Sequence, residues 1–299
     1  MNITSINQKE NLRRKYKKRS QLKDIWIRLR RNRMAIIGLS VLIILLLTAI
    51  FADFIGDYEG KAIKINAQQR LQGVSKEHWF GTDEYGRDIF TRIVYGTRTS
   101  LFVGAISVGI ALSFGGILGA VAGYYGGKFD NIIMRTLDVL LAIPSILLSI
   151  TIVTAMGAGL TNLMIAVGIS NIPGFARVVR ANVLGIKDQE YIEAARAIGL
   201  RDHEIILRHV LPNCMAPIMV YSTLKVAGAI MATAGLSFIG LGVQPPKPEW
   251  GSMLSSGRAF IRDKIHVVLF PGLAIMITIL SLNLLGDGLR DALDPRMKR

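Results

Sequence analysis

The feature that most limits how this chain can fold is a run of 38 residues, 139–176, without a single charged side chain. As one α-helix it would be about 57 Å long, nearly twice a hydrocarbon core of about 30 Å. It has to fold back, and Gly157-Ala158-Gly159 at its centre supplies a flexible turn, which predicts spans at 137–156 and 160–180. Four further uncharged runs, 34–52, 99–127, 226–246 and 265–286, bring the expected total to six transmembrane helices. A soluble domain has no reason to sustain such runs, and a mean hydropathy of +0.40 over 299 residues agrees. The chain reads as an all-α polytopic membrane protein.

A net charge of +15 in a soluble protein would raise nucleic acid as a partner, but its distribution points to a membrane and no nucleic acid. Residues 1–33 hold 12 Lys/Arg against Glu10 and Asp24, directly before the first apolar run. The positive-inside bias puts this tail in the cytoplasm. From there, 24 of the 36 Lys/Arg fall in segments assigned inside (1–33, 128–138, 177–212, 287–299), 11 fall outside, and Lys225 alone falls within a span. Both termini are therefore expected inside. A cleaved signal peptide is not expected, because the basic lead is too long and no Ala-x-Ala site follows the first apolar run.

The resulting division is a basic tail at 1–33, a first transmembrane helix at 34–53, an extracytoplasmic cap at 54–96, a five-helix core at 97–289 and a cytoplasmic tail at 290–299. In the basic tail, Leu22, Ile25, Trp26 and Leu29 recur at helical spacing, with Lys23, Arg28, Arg30, Arg31 and Arg33 on other faces. That pattern predicts an amphipathic helix lying on the anionic lipid of the inner leaflet.

Within the spans, Gly115, Gly119 and Gly123 recur every four residues with Ala111 extending the stripe, a pattern that predicts close helix packing, inside the bundle or else at an intersubunit seam. Pro144 and Pro173 predict kinks in the third and fourth spans. Asp138 reads as a helix-start residue near the inner surface. Lys225 lies roughly 18 Å past Asn213, near the midplane, where a lone cation is costly. Either it lines a water-filled pathway or forms an ion pair, or the span is shifted toward an interface. Cys214, the single cysteine, reads as a packing residue.

Chemistry is hard to place on this chain. It offers no nucleophile with a base, no paired carboxylates and no ligand cluster. His78, His203, His209 and His266 fall on both sides of the membrane, so no single metal site is expected. The segment from Gly123 to Phe129 departs from the phosphate-loop pattern at its first glycine and its final hydroxyl. No catalytic residue, metal or cofactor is expected on this chain. A self-contained ion-coupled carrier or channel, motivated by Lys225 and Asp138, is one reading.

A second reading comes from residues 188–212, a polar, helix-prone stretch between two apolar segments. Asp188 is placed to cap a first helix, with Glu190 and Glu193 favouring its positive end and Ala194 and Ala195 raising helix propensity. Gly199 supplies a left-handed stop with Leu200 folding back. Asp202 is placed to cap a second helix to about Val210, which Leu211-Pro212 ends. The apolar Tyr191, Ile192, Ile198, Ile205 and Ile206 suit docking into a groove of a cytosolic partner.

The spacing Glu193-Ala194-Ala195-x3-Gly199, followed by Leu211-Pro212, resembles the EAA coupling loop of ABC importer permeases, although His209 stands where many permeases have Ile. The segment from His78 to Leu101, and Leu236 to Pro246 with Glu249-Trp250-Gly251, resemble the C-type permease of oligopeptide and dipeptide importers. The resemblance covers about residues 20–295 and implies a type I ABC importer fold. It further implies a homologous B-type permease partner, two ATP-binding subunits that carry ATP and Mg, an external substrate-binding protein, and a bacterial or archaeal cell membrane. On this resemblance Glu193, Ala194, Ala195, Gly199, Leu211 and Pro212 couple to the ATPase, while the cap and residues 244–264 face the binding protein. Thr233 aligns where family members often carry an acidic residue, and with Lys225 it would line the pathway. Peptides are the implied cargo, with nickel or other metal chelates, glutathione and oligosaccharides as alternatives.

Overall fold

The computed structural model describes residues 21–293, so most of the basic tail and the end of the 290–299 tail lie outside the described residues. Helix α1 (Gln21–Arg31) meets α2 (Arg33–Ile50) at Asn32, whose Oδ1 accepts the N–H groups of Met34 (3.1 Å) and Ala35 (3.2 Å). Leu22 of the expected amphipathic stripe lies outside the described side chains; Leu29 is buried and Trp26 exposed. Besides short helical turns such as Ala52–Ile55 and Tyr58–Ile63, the helices that follow are α3 (Ile89–Tyr125), α4 (Gly127–Leu141), α5 (Ser145–Met156), α6 (Leu160–Leu184), α7 (Glu190–Ala197), α8 (Asp202–Ile205), α9 (Leu211–Phe238), α10 (Trp250–Gly257) and α11 (His266–Leu293). Among the described residues there is no strand, only an isolated bridge between Thr82 and Asp88.

Among the described residues, five helical stretches are long and apolar enough to cross a bilayer: α2, α3, α6, the stretch from α8 through α9, and α11. The third expected span is not one helix. Its helix stops at Leu141 and resumes at Ser145 after an 84° bend, so the expected six is reached only by counting α4 and α5 together. Pro144 has no N–H to continue the ladder and forces Ile143 away from helical geometry. With 12 residues, α5 reaches only about 18 Å. The turn at Gly157 is as expected: φ is +91°, and Asn162 Nδ2 donates to the carbonyls of Met156 (2.9 Å) and Gly157 (3.0 Å). Pro173, by contrast, lies inside a helix that runs unbroken from Leu160 to Leu184.

Two expected boundaries move. Asp88 Oδ2 accepts the N–H of Thr91 (2.8 Å), so α3 starts at Ile89, well inside the expected cap, and its 37 residues extend about 56 Å. At the other end α11 runs through Ala292, which is buried against Leu29 and Ala35, so residues 290–293 are helix rather than tail.

The centre of the bundle is the seam between α3 and α6. A Cβ at Gly115 would stand 2.6 Å from the Ile172 carbonyl oxygen, one at Gly119 would meet the Ala176 carbonyl, and one at Gly123 would stand 2.9 Å from Val183 Cβ. The glycine stripe thus lets two helix backbones touch, which matters because lipid supplies no hydrophobic drive between spans. Val103, Val108, Ala111, Leu163, Val167 and Phe175 complete this core. Helix α4 is held to α6 by Asp130, which receives Arg180 Nε (2.5 Å) and Nη2 (2.6 Å), and by Asp138, 2.5 Å from Arg177. Asp138 therefore sits in the last turn of α4 as an ion-pair partner, not at a helix start.

The seam makes a paired prediction. Gly119→Ala, which forces a methyl group onto a backbone carbonyl, should destabilise the fold by about 1–3 kcal/mol. Gly116→Ala, whose added Cβ would meet only Leu112 Cδ1 at 3.9 Å, should be neutral or slightly stabilising. Thermal unfolding of the two variants in detergent separates them; equal midpoints would remove the close-packing argument.

Candidate functional site

The loop after α6 is a built unit and not a solvated connection. Its first helix, α7, ends in a paired C-terminal turn: Leu200 N–H donates to Ala195 O (3.2 Å) and Gly199 N–H to Arg196 O (2.9 Å), with Gly199 at φ +84°. This closes two carbonyls that a helix end leaves open and requires the left-handed conformation that glycine adopts freely. The capping expectations fail on both helices. Gln189, not Asp188, precedes α7, and Arg201 precedes α8, where Glu204 Oε2 accepts the Arg201 N–H (3.3 Å).

Asp202 is free of capping duty because it serves elsewhere. The Tyr124 hydroxyl, at the end of α3, donates to Asp202 Oδ1 (2.8 Å), while Arg196 Nε donates to that hydroxyl (3.4 Å) and its guanidinium lies 5.1 Å from the ring centroid. One tyrosine thus ties both loop helices to the central seam. Sequence reasoning missed Tyr124, and its only signal was a position directly after the glycine stripe.

The loop's apolar residues divide. Ile192, Ala195 and Ile205 are buried, with Val179, Val183, Val210, Cys214 and Ile218 around them, and Ile206 is partly buried there. They anchor the loop to its own bundle, which corrects the expectation that Ile192, Ile205 and Ile206 serve a partner's groove. The outward face carries Tyr191, Glu193, Ala194, Gly199 and above all Ile198, 78% exposed. Pro212 is exposed and does not end the second helix. From α8 the chain passes through a π-helical turn, Ile206–Val210, directly into α9, with Leu211 N–H bonded to Ile206 O. A wider turn there, with Pro212 in the first turn of α9, lets the backbone pass a residue that has no N–H to offer.

On the opposite side, the cap is clamped to the core. His78 Nδ1 lies 2.9 Å from Asp88 Oδ1, and Arg92 Nη1 donates to Ala62 O (2.7 Å) and Pro246 O (3.3 Å). Arg87 Nε donates to Asp83 Oδ2 (2.6 Å). Burial, and then the charge of Asp83, raises the Glu84 carboxyl above its ordinary range. An open cleft of about 1030 Å³ lies over this region, lined in part by Phe54, Asp57, Lys61, His78 and Trp79. Trp250 is fully buried, its Nε1 donating to Ile93 O (3.2 Å) and its ring against Gly96. Glu249 is buried as well; its two carboxylate oxygens accept the N–H groups of Gly251 and Ser252 (both 2.8 Å), while burial pushes its pKa up. Of the expected binding-protein face, 244–264, Glu249-Trp250-Gly251 is therefore an internal clamp, while residues 244–247, Ser256, Arg258, Ala259 and 261–263 are exposed.

Thr233, expected in the pathway, is 1% exposed, and its hydroxyl donates to Ala229 O (2.7 Å), so it lines no open space in this structure. Lys225 is half-buried, with Nζ 5.3 Å from the Tyr221 ring centroid.

The family model for the binding-protein-dependent transport system inner membrane component matches residues 115–299, and that for the N-terminal TM domain of oligopeptide transport permease C matches residues 20–73. The chain is similar to the dipeptide transport system permease protein DppC of Alkalihalophilus pseudofirmus, at 50% identity over 279 residues, covering 93% of this chain and 91% of that protein. It is also similar to the glutathione transport system permease protein GsiD of Escherichia coli, at 47% identity over 275 residues, covering 92% and 90%. Among solved structures, an inward-facing MetNI methionine ABC transporter superposes with a TM-score of 0.57 over 69% of this chain and 98% of that chain. At 18% identity that likeness speaks for the fold alone.

The Tyr124 pin can be tested directly. Tyr124→Phe keeps the ring and removes both hydrogen bonds of the hydroxyl, the one to Asp202 and the longer one from Arg196, together worth about 1–2 kcal/mol, so amide exchange across 196–210 should quicken roughly five- to thirtyfold while the bundle's unfolding midpoint barely moves. Unaltered exchange in that stretch would show that the hydroxyl does not hold the loop.

Proposed function

We propose that this chain, which belongs to the binding-protein-dependent transport system inner membrane component family, is the translocation subunit of an ATP-driven importer of dipeptides or oligopeptides. The two relatives named above support the cargo class, since the dipeptide permease and the glutathione permease each align over nine-tenths of this chain. Glutathione, itself a tripeptide, is the second cargo reading. The chain works in a bacterial or archaeal cell membrane, with both termini and the 188–212 loop on the cytoplasmic side. Its partners are a B-type permease, two ATP-binding subunits and an external binding protein. It hydrolyses nothing itself; ATP and Mg belong to the partner ATPases.

The observation that carries the coupling role is that the loop's second helix and α9 form one continuous helical stretch, Asp202–Phe238. A force applied at the loop surface therefore enters a rod that reaches across the membrane. Helix α7, anchored by Ile192 and Ala195 and pinned through Arg196 to Tyr124, keeps the loop from yielding on its own. In this reading Glu193, Ala194 and Gly199 shape the surface that the ATPase cleft grips, Ala195 and Leu211 transmit from beneath it, and Pro212 marks where α9 takes up the movement. When the ATPase subunits close on ATP, the loops move with them, and the attached spans expose the pathway alternately to either side. The cap and its cleft meet the binding protein that delivers the cargo.

Ile198→Asp tests the docking surface, because a residue 78% exposed can be changed without disturbing the core. The variant should insert and fold as the parent does, while recovery of the ATPase subunits with the permease and ATP-driven uptake both fall by roughly tenfold or more, as expected for a charge placed in an apolar contact. Gly199→Val should act through conformation, since the left-handed turn disfavours a β-branched residue even though nothing lies within 4 Å of the site. Normal ATPase recovery and normal uptake with Ile198→Asp would sink the docking role of this loop.

A further inference from the structure

Lys225 is the fifteenth of the 28 residues of α9, so it stands near the middle of a span. A cation there is costly and needs a counter-charge or water. Among the described residues no carboxylate comes within 4.0 Å of its ammonium; its neighbour is the face of Tyr221, 5.3 Å from Nζ to the ring centroid. That ring is itself held. It meets Phe175 edge-on at 4.9 Å, and its hydroxyl reaches α6 at Gly174, where an added Cβ would stand 2.6 Å from it.

Tyr221, Lys225 and Gly228 follow one another at i, i+4 and i+7, on one face of α9. A Cβ at Gly228, one turn further along, would meet nothing within 4 Å, so this face of α9 is open beyond Lys225. The arrangement is a held aromatic ring, a half-buried cation beside it and an open stretch of the same helix face, with no matching anion among the described residues.

We infer that Lys225 is an anion-binding post in the translocation path that holds the free carboxylate of the passing peptide, with Tyr221 orienting its ammonium. The inference rests on the importer reading and sharpens it: the cargo class becomes small peptides with an unblocked carboxylate. The ammonium donates charge-assisted hydrogen bonds to the carboxylate, and the desolvated surroundings strengthen them. Because Lys is a single flexible point charge and not a planar fork, it can pass a carboxylate onward without tight two-point capture.

The test uses the complete transporter, permease pair with ATPases and binding protein, in proteoliposomes. Uptake rates of dialanine, dialanine amide and aspartyl-alanine amide are compared for the parent, Lys225→Met and Lys225→Arg. In Lys225→Met the ratio of dialanine to dialanine amide uptake should fall on the order of tenfold, the worth of one hydrogen bond to a charged group, while Lys225→Arg largely retains it. A matching fall for aspartyl-alanine amide extends the post to any carboxylate; its absence narrows the post to the C-terminal one. An unchanged ratio overturns the inference. So does an equal fall for all three cargoes in a fully assembled complex, which would assign Lys225 to an ion pair with the partner permease. Should the parent import none of the three, the peptide reading itself fails, and that failure appears in the parent instead of the variants.

Discussion

Two helices in lipid gain nothing by hiding apolar side chains from each other, because the tails around them are equally apolar. The contact between α3 and α6 overcomes this by bringing backbone against backbone at Gly115, Gly119 and Gly123, where any side chain would collide with the carbonyls or side chains of α6. Much of the architecture is referred to that seam. At one end Tyr124 reaches Asp202 and Arg196, so the 188–212 loop inherits the position of α3. At its other end α3 continues into the cap, where Asp88, Arg92 and the carbonyl of Ile93 receive the cap loop and Trp250. One long helix therefore links the face read as meeting the binding protein to the face read as meeting the ATPases.

Proline acts in opposite ways at three places, and the difference is structural. At Pro144 the chain bends by 84°, and α4 is tied sideways to α6 through Asp130 and Asp138 instead of continuing as a span. Pro173 sits within an unbroken helix. At Pro212 a π-helical turn precedes it, so the loop and α9 form a single rod. That last case matters for function, because a hinge at Pro212 would let the loop move without moving the span.

The sequence revealed much about the loop's chemistry and less about which way its residues face. Gly199 was legible because a left-handed helix stop has a strong residue preference, and its φ of +84° agrees. Ile192, Ile205 and Ile206 suit a partner's groove by sequence, because residue type marks them as apolar but not which neighbour covers them; here the bundle does. Asp188 and Asp202 were read as caps from residue type alone, yet Tyr124 claims Asp202 across 78 residues of chain. Glu249-Trp250-Gly251 was recognised as a motif, but only burial shows that it clamps α10 against Ile93, Gly96 and Ala234.

By itself the sequence determined the membrane class, the approximate placement of the spans, the turn at Gly157 and the existence of a helical loop between the fourth and fifth apolar segments. These follow from local quantities: run length, absence of charge, and the backbone freedom of glycine. Tertiary structure alone decided that the third span breaks, that the loop and α9 are continuous, that Thr233 is enclosed, and that Lys225 lacks a carboxylate partner within the described chain. Those properties depend on what lies opposite each residue in space, which spacing along one chain does not encode.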